Sequence, residues 1–434
     1  MTEDLIREIQ VEHLGEPRFD SHLASQMFLE EDTQLMHMAA GFAEDDPSRR
    51  FFRFETAGPR KKLFFDSDKT KCAIVTCGGL CPGLNDVIRA IVLESYYAYG
   101  VKEIWGIRYG LAGFIKKYGY EPVRLTPEMV DNIHSFGGTI LGSSRGVQDM
   151  GEIVDWLTEH EINMLYVIGG DGSMKAANAI SKKIHERQLP IAVVGIPKTI
   201  DNDINFVPKS FGFDTAVEKA TEAVCCAHIE AKGAFNTIGM VKLMGRESGF
   251  IAAQTSLAMR DVNFVLVPEL KFEMDGEDGF LNRLHQRMLE RAHAVIVVAE
   301  GAGQHLLEGT GKYDASGNVV LSDISEYLKQ RIKAFFKEKG TPIQIKYIDP
   351  SYIIRSVPAN KNDASYCGLL GQNAVHAAMA GRTGIIISCI MGKFVHVPLD
   401  IVTSKRRKMD PHSELWRAVL ESTGEWNILG MRAQ

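Results

Sequence analysis

The stretch Met164-Leu-Tyr-Val-Ile-Gly-Gly-Asp-Gly-Ser173 decides the fold class of this chain. It is a short apolar run, followed by a glycine turn that carries an acid, and then by a segment of helical periodicity at 173–187. A buried strand that leads directly into a helix is the repeating unit of a parallel sheet covered by helices. The stretch therefore predicts an α/β protein.

The same alternation of short apolar runs and longer helical segments continues on both sides of this stretch. It predicts strands at 72–77, 164–168, 191–196, 237–243, 263–267, 294–299, 343–347 and 384–389. It predicts helices between these strands, for example at 84–97, 173–187, 216–230, 247–259, 326–337 and 365–380. The strands fall into two groups, before and after about Phe211. This spacing predicts two lobes, each a mostly parallel sheet flanked by helices, and the charge-rich first 70 residues are interpreted as an N-terminal extension.

Composition excludes several classes of protein. Among 434 residues, Lys and Arg number 49 and Asp and Glu number 55, so the net charge is −6 and no basic field is available to hold nucleic acid. Apolar runs such as 294–299 are far shorter than the roughly 20 residues needed to cross a bilayer. The acidic start, Met-Thr-Glu-Asp, favours a cytoplasmic protein. Seven cysteines, an odd number spread over a long chain, predict reduced thiols.

Two glycine-rich turns follow predicted strands. Cys77-Gly-Gly-Leu-Cys-Pro-Gly-Leu-Asn85 could bind phosphate through backbone amides and a helix N-terminus, or be a plain strand-to-helix turn, and the residues leave the two interpretations about even. In Gly169-Gly-Asp-Gly-Ser173, Asp171 is the candidate Mg²⁺ ligand, and its alternative role is a helix N-cap. The first turn alone decides little, whereas the second indicates phosphoryl chemistry more than a particular substrate.

Two further motifs carry charged side chains at strand ends. In Gly195-Ile-Pro-Lys-Thr-Ile-Asp-Asn-Asp203, two carboxylates at i and i+2 can divide the roles of proton acceptor and metal or hydrogen-bond partner. The following Thr215-Ala-Val-Glu218 predicts a capping box at the start of the next helix. In Lys242-Leu-Met-Gly-Arg-Glu-Ser-Gly249, the guanidinium of Arg246 suits a phosphomonoester.

These ordered motifs resemble those of the 6-phosphofructokinases, from about Lys71 to about Lys393. The resemblance implies an enzyme that transfers the γ-phosphoryl group of ATP to the 1-hydroxyl of fructose 6-phosphate in glycolysis, with Mg²⁺, as a homotetramer or homodimer. It also implies a nucleotide-binding lobe at 71–210, a sugar-phosphate-binding lobe at 211–355, and a C-terminal segment, 356–434, that returns across both lobes.

The resemblance implies roles for individual residues. Asp201 matches the base that takes the proton of the sugar hydroxyl, with Thr199, Asp203 and Lys198 beside it, and Asp171 matches the Mg²⁺ position. The residues similar to the nucleotide contacts are Gly79, Arg145, Gly146, Gly170, Asp171, Gly172 and Ser173. Those similar to the sugar-phosphate contacts are Thr199, Asp201, Met244, Gly245, Arg246, Glu300, Lys346, Tyr352 and Arg355.

Some positions depart from the short bacterial members of the family. Thr237 stands where those members carry an arginine donated across a subunit interface, and Lys346 falls at the second such position. Leu111 stands where they place an aromatic residue in the nucleotide loop.

The phosphoryl donor is predicted from two positions. Family members that use pyrophosphate resemble Gly-Gly-Asp-Asp at the metal motif, whereas this chain has Gly172, which leaves room for the α-phosphate of ATP. Lys198 is instead the residue found in pyrophosphate users. The mixture is similar to the long, atypical ATP-dependent branch, and ATP is the predicted donor. The alternatives are a pyrophosphate-dependent phosphofructokinase and a non-catalytic sugar-phosphate-binding subunit of the same fold.

Overall fold

The computed structural model of the protein describes residues 6–23, 28–31, 33–38, 51–314, 317 and 319–424. The strands are β1 (Ile6–Glu8), β2 (Glu12–His13), β3 (Phe19–Asp20), β4 (Gln34–Met38), β5 (Phe51–Glu55), β6 (Lys62–Leu63), β7 (Lys71–Thr76), β8 (Glu103–Ile107), β9 (Val123–Arg124), β10 (Met164–Gly169), β11 (Ala192–Pro197), β12 (Thr237–Leu243), β13 (Phe264–Leu266), β14 (His293–Ala299), β15 (Gln344–Ile348), β16 (Arg382–Thr383), β17 (Ile385–Ile390) and β18 (Lys393–Pro398). The α-helices are α1 (Leu84–Leu93), α2 (Met150–Glu159), α3 (Asp171–Glu186), α4 (Phe213–Gly233), α5 (Phe250–Met259), α6 (Phe280–Arg291), α7 (Ile324–Glu338), α8 (Ser351–Ser356), α9 (Lys361–Met379), α10 (Leu399–Val402) and α11 (Glu414–Thr423). A π-helical turn, Glu94–Ala98, extends α1, and short 3-10 turns occupy Ser67–Lys69, Gly110–Phe114, Lys116–Tyr118, Ile133–Ser135 and Gln304–Leu306.

The chain forms two compact units. The larger unit contains the described residues up to Thr199, together with Asp203–Gly212 and Ser356–Arg406. The smaller unit contains Ile200–Asn202, Phe213–Arg355 and the described residues that follow Arg406. The segment boundaries expected from the sequence stay a prediction.

A seven-stranded sheet forms the core of the larger unit, in the order β18-β17-β11-β10-β7-β8-β9. Its inner strands run parallel, and only β9 and β18 at the two edges are antiparallel to their neighbours. Every residue of β10 and β11 is buried, as expected for continuous apolar strands covered by helices on both faces. The chain adds β8 on one side of β7 and later β10 and β11 on the other, so the strand order reverses between β7 and β10. Such a reversal is where open α/β sheets bind ligands.

The smaller unit contains a four-stranded, wholly parallel sheet in the order β13-β14-β12-β15. After β12 the chain builds β13 and β14 on one side of it and then β15 on the other. The reversal in this sheet therefore lies between β12 and β15, next to the loop that follows Leu243.

The α/β prediction is confirmed, and several details are corrected. The strand predicted at 384–389 is β17, which pairs with β11 in the larger unit, so grouping the strands before and after Phe211 was wrong for it. Helix α4 begins at Phe213, two residues before the predicted capping box, and α5 begins at Phe250 rather than at 247. The prediction also missed the strands β8 and β18.

The segment interpreted as an N-terminal extension contributes to the core of the larger unit. Strands β1, β5 and β4 form a small sheet, and Phe54 of β5 is fully buried. Glu55 accepts hydrogen bonds from Arg60 Nη2 at 3.1 Å and from Arg382 Nε at 3.0 Å, and both arginine side chains are only 1% exposed. Burial works to raise the pKa of Glu55, but the imidazoles of His13 and His396, whose ring nitrogens lie 3.6 Å and 3.4 Å from its carboxylate oxygens, and the charge of Arg382 hold it well below its usual range.

Histidine 376 makes this interior sensitive to acid. Its Nδ1 lies 2.7 Å from the hydroxyl of Tyr99, and burial, reinforced by the charge of Arg60, lowers its pKa from 6.5 to about 4. Because the unfolded chain binds this proton at a higher pH than the native protein does, stability falls as the pH drops below 6.5. We expect His376 to remove about 2 kcal/mol of the free energy of unfolding between pH 6.5 and pH 5.

Thermal or urea unfolding at several pH values measures this effect, with His376→Asn as the comparison. Glu94, 3.8 Å from His376, has its pKa raised by burial and offsets part of the acid loss in both proteins. The difference between the two proteins therefore isolates the histidine. An equal pH slope in both would show that His376 does not titrate as described.

Candidate functional site

Three of the sequence motifs meet at the carboxyl edge of the larger sheet. The Cys77 amide donates to the Ile168 carbonyl at 2.8 Å, and the Lys198 amide donates to the Gly169 carbonyl at 2.9 Å. The Lys198 ammonium, which is buried, donates to the Gly79 carbonyl at 2.6 Å. Because β7, β10 and β11 are adjacent and in parallel register, their loops must lie side by side.

The loop that contains Arg145 and Gly146 lies against the first glycine turn. Gly78 has a φ of +84°, its amide donates to the Ser144 carbonyl at 3.1 Å, and its carbonyl accepts from the Ser143 hydroxyl at 2.6 Å. Arg145 and Gly146 themselves are exposed. The two segments predicted to contact the nucleotide are thus neighbours.

Asp171 is the first residue of α3, and Gly170 is its N-cap, so the N-cap alternative for Asp171 is wrong. Its carboxylate is 11% exposed and lies 2.9 Å from the Lys175 ammonium and 3.2 Å from Arg406 Nε. The next residue, Gly172, is exposed, and a Cβ atom added there would meet nothing within 4 Å. A carboxylate at a helix N-terminus, next to open space, suits a cation together with a phosphate chain.

Asp203 lies near the same carboxylate. The Thr199 hydroxyl donates to Asp203 Oδ1 at 3.0 Å. Burial raises the pKa of Asp203, and the Asp171 charge adds to the rise, whereas Arg406 and the Thr199 hydrogen bond oppose it. Asp203 therefore holds a proton at a higher pH than an ordinary aspartate does.

The backbone around Asp201 is fixed within the smaller unit. The Ser248 hydroxyl donates to the Asp201 carbonyl at 2.8 Å, and Arg407 Nη1 donates to the Asn202 carbonyl at 3.1 Å. Asn202 has a φ of +55°, a left-handed conformation that asparagine adopts more readily than most other non-glycine residues do. The two hydrogen bonds therefore hold the backbone of Asp201, the candidate base, and of the residue that follows it.

The loop Met244–Arg246 follows β12 in the smaller unit. Gly245 has a φ of +138°, and a Cβ atom there would lie 2.3 Å from the Ser248 carbonyl oxygen, so only glycine fits. The Arg246 amide donates to Glu300 Oε1 at 3.0 Å, and the Glu300 amide donates to the Leu243 carbonyl at 2.8 Å. The Arg246 guanidinium donates from Nη2 to Asp314 Oδ2 at 3.0 Å. Arg246 and Glu300 are thus brought together, and the Asp314 carboxylate is paired with the Arg246 guanidinium.

The remaining sugar-phosphate candidates lie on β15 and on α8, the helix that follows it. Tyr352 and Arg355 lie on α8, with the guanidinium carbon 4.9 Å from the ring centroid. Lys346 lies in the middle of β15, and its ammonium is 3.8 Å from a carboxylate oxygen of Glu230. Among the contacts described, none joins Lys346 to Arg246 or Arg355.

The order of these motifs along the chain matches one protein family. The family model for phosphofructokinase matches residues 71–378. The chain belongs to the phosphofructokinase family.

Individual phosphofructokinases are similar to it over most of its length. The chain is 53% identical to an ATP-dependent 6-phosphofructokinase of Borreliella burgdorferi over 86% of this chain and 85% of that protein. It is 46% identical to an ATP-dependent 6-phosphofructokinase of Amycolatopsis methanolica over 96% of this chain and 94% of that protein. A crystal structure of a pyrophosphate-dependent phosphofructokinase from Marinobacter aquaeolei superposes with a TM-score of 0.68 over 82% of this chain and 91% of that one, at 20% identity. At that identity the superposition supports the fold alone.

Three charged side chains that the sequence analysis did not name contact the phosphofructokinase motifs. Lys175 and Arg406 bracket Asp171, and Asp314 pairs with Arg246. Lys175 could have been found, because residues four apart on a helix face the same side. Arg406 and Asp314 lie 235 and 68 residues from their partners, and no local pattern marks them.

Gly301 controls the position of the Arg246 loop. A Cβ atom at Gly301 would lie 1.6 Å from the Arg246 carbonyl oxygen, so a side chain there must displace the loop. We expect Gly301→Ala to lower the free energy of unfolding by about 1–3 kcal/mol, the usual cost of overpacking. At Gly309, where an added Cβ would meet nothing within 4 Å, the same substitution serves as the control and should change little. Equal stabilities of the two variants in denaturant titration would contradict the steric argument.

Proposed function

We propose that this chain is an ATP-dependent 6-phosphofructokinase, which transfers the γ-phosphoryl group of ATP to the 1-hydroxyl of fructose 6-phosphate. The products are fructose 1,6-bisphosphate and ADP, as in glycolysis. The relatives with this name, at 53% and 46% identity over most of the chain, support the activity. The observation that carries the choice of donor is the open, exposed backbone at Gly172, next to the carboxylate of Asp171.

In this proposal Asp201 accepts the proton of the sugar hydroxyl as that oxygen attacks phosphorus. Ser248 and Arg407 keep the base in place by binding the backbone carbonyls of Asp201 and Asn202. Thr199 and Asp203, joined at 3.0 Å, lie close to Asp171 and contribute hydrogen bonds to the transferring group. Lys198 supplies positive charge to the phosphoryl oxygens, and Gly79, Arg145, Gly146, Gly170 and Ser173 bind the nucleotide.

Asp171 is the residue that would hold Mg²⁺. Among the described residues, no group of three or more His, Cys, Asp or Glu side chains is placed to hold a metal. A single carboxylate suits Mg²⁺, which is usually bound by one or two carboxylates together with substrate phosphates and water. Mg²⁺ would neutralise the charge on the phosphate chain, while Lys175 and Arg406 neutralise Asp171 in its absence.

The sugar phosphate is assigned to the smaller unit. Arg246 and Arg355 are the cations that would bind the 6-phosphate, with Met244, Gly245 and Tyr352 beside them, and Glu300 would bind sugar hydroxyls. Phosphate must then replace Asp314 on the Arg246 guanidinium. Lys346 is assigned here by resemblance alone.

A pyrophosphate-dependent enzyme is the second candidate, because Lys198 is the residue that pyrophosphate users carry at this position. Turnover of fructose 6-phosphate with ATP and, separately, with pyrophosphate decides between the two. We expect activity with ATP. Activity with pyrophosphate alone would overturn the choice of donor.

The Gly172→Asp variant tests the physical reason for that choice. Two negative charges about 4 Å apart at an effective dielectric constant near 20 repel by about 4 kcal/mol, or nearly three decades in binding. We expect severe loss of ATP use in Gly172→Asp and a much smaller loss in Gly172→Ala, since the added methyl group carries no charge and meets no protein atom within 4 Å. Equal loss in both variants would implicate the glycine backbone instead of charge.

A non-catalytic sugar-phosphate-binding subunit is the third candidate, and Asp201→Asn separates it from an enzyme. We expect the substitution to lower kcat by about two to four decades, the usual contribution of a general base, with a modest change in KM. Isothermal titration with fructose 6-phosphate shows whether the variant still binds sugar. An unchanged kcat would remove Asp201 from the mechanism, and a wild-type protein that binds sugar without turnover would favour the subunit.

Two broader predictions belong with this proposal. The protein would act as a homodimer or homotetramer, which light scattering measures directly, and it would be located in the cytoplasm. None of the described helices is long and apolar enough to cross a membrane.

A further inference from the structure

A partly buried ion pair joins two neighbouring strands of the smaller sheet, at the ends that lead to the sugar-phosphate residues. The Lys242 ammonium lies 2.8 Å from Asp349 Oδ2, and the two side chains are 19% and 32% exposed. Strands β12 and β15 are parallel partners with Val241 opposite Ile348, so Lys242 and Asp349 are the next facing positions. The pair therefore connects the strand that leads to Arg246 with the strand that leads to Arg355.

Asp349 also fixes the start of α8. Its Oδ1 accepts hydrogen bonds from the Ser351 amide at 3.1 Å and from the Ser351 hydroxyl. At six residues, α8 is too short to be stable on its own. Ile354 is its one buried residue, whereas Tyr352 and Ile353 are exposed. Asp349 therefore helps to fix where α8 begins and how it is oriented.

The surroundings keep this pair charged. Burial works to lower the pKa of Lys242, but the hydrogen bond to Asp349 and the nearby Tyr347, Asp349 and Asp323 raise it. Burial works to raise the pKa of Asp349, but Lys242 and Ser351 hold it below its usual range. The link between the two strand ends thus persists across the physiological pH range.

We propose that Lys242 and Asp349 are positioning residues, which set the spacing between the Arg246 loop and α8 so that both can bind one phosphomonoester. The proposal rests on the proposed function of this site. In this proposal neither residue contacts the sugar. A phosphate held by two cations on separate segments requires both at fixed separation, and displacement by about 1 Å can cost up to two decades where geometry is critical.

The test is steady-state kinetics of the full-length Lys242→Met variant. We expect its KM for fructose 6-phosphate to rise about tenfold, with kcat and the KM for ATP changed less than about twofold, since only the placement of sugar-phosphate ligands is lost. Lys242→Arg keeps the charge and should recover part of the affinity. Lys329→Met is the matched control, because Lys329 pairs with Glu326 at 2.7 Å on α7 and lies 4.6 Å from the Tyr347 ring, and none of its described contacts is with Lys242 or Asp349.

A double-mutant cycle separates positioning from general loss of structure. If the pair acts as a unit, Asp349→Asn should raise the KM similarly, and combining it with Lys242→Met should add little. Additive effects, an unchanged KM in folded Lys242→Met, or parallel losses in kcat and in both KM values would overturn the proposal. Isothermal titration with fructose 6-phosphate gives the same comparison as a binding constant, and so applies even to a variant with little turnover.

The outcome for the wild-type protein keeps the two proposals distinct. Lack of turnover with ATP and fructose 6-phosphate overturns the proposed function. In that case, fructose 6-phosphate binding that weakens in Lys242→Met but not in Lys329→Met still supports the positioning role. Turnover by the wild-type protein with unaltered binding in Lys242→Met overturns the positioning role alone.

Discussion

The parallel pairing of β10 with both β7 and β11 is the constraint on which the larger unit depends. Parallel strands in register end at one edge of the sheet, so the turns that follow them must pack against each other. The amide of Lys198 bonds to the Gly169 carbonyl, and its ammonium bonds to the Gly79 carbonyl. Three segments that lie far apart along the chain thus form one surface of amides, glycines and carboxylates.

Negative charge at that surface is balanced by cations from the same unit. Asp171 lies between Lys175 and Arg406, and Arg406 also acts on Asp203. The smaller unit shows the reverse arrangement, because the Arg246 guanidinium is paired with Asp314. In both units the charged groups that would bind substrate are neutralised by the protein itself, which limits the cost of burying them without ligand. Under the proposed function, substrate binding would exchange one set of ion pairs for another.

Buried charge also holds the N-terminal segment in the fold. Arg60 and Arg382 meet at Glu55, which lies at the end of β5, and these contacts tie residues before β7 to a strand near the C-terminal end of the larger unit. Removing one partner of such a cluster leaves an uncompensated buried charge, so the cluster tolerates little change. The described part of the segment called an extension therefore contributes to the packed core of the larger unit.

The sequence by itself determined the α/β class, most of the central strands and the motifs that follow them, because buried strands and glycine turns are local patterns. Strand 237–243 was predicted with the bounds that β12 has. Strand β18 and its antiparallel pairing with β17 were missed, because the sequence marks the tight turn between them with a single glycine, Gly392. In the structure both turn residues, Met391 and Gly392, have positive φ values. Only the tertiary structure decided that β17 joins the seven-stranded sheet and that Arg406 contacts Asp171. It also decided that Asp314 pairs with Arg246 and that Lys242 pairs with Asp349. These contacts depend on which strands become neighbours, and pairing between distant segments leaves no periodic signal in the sequence.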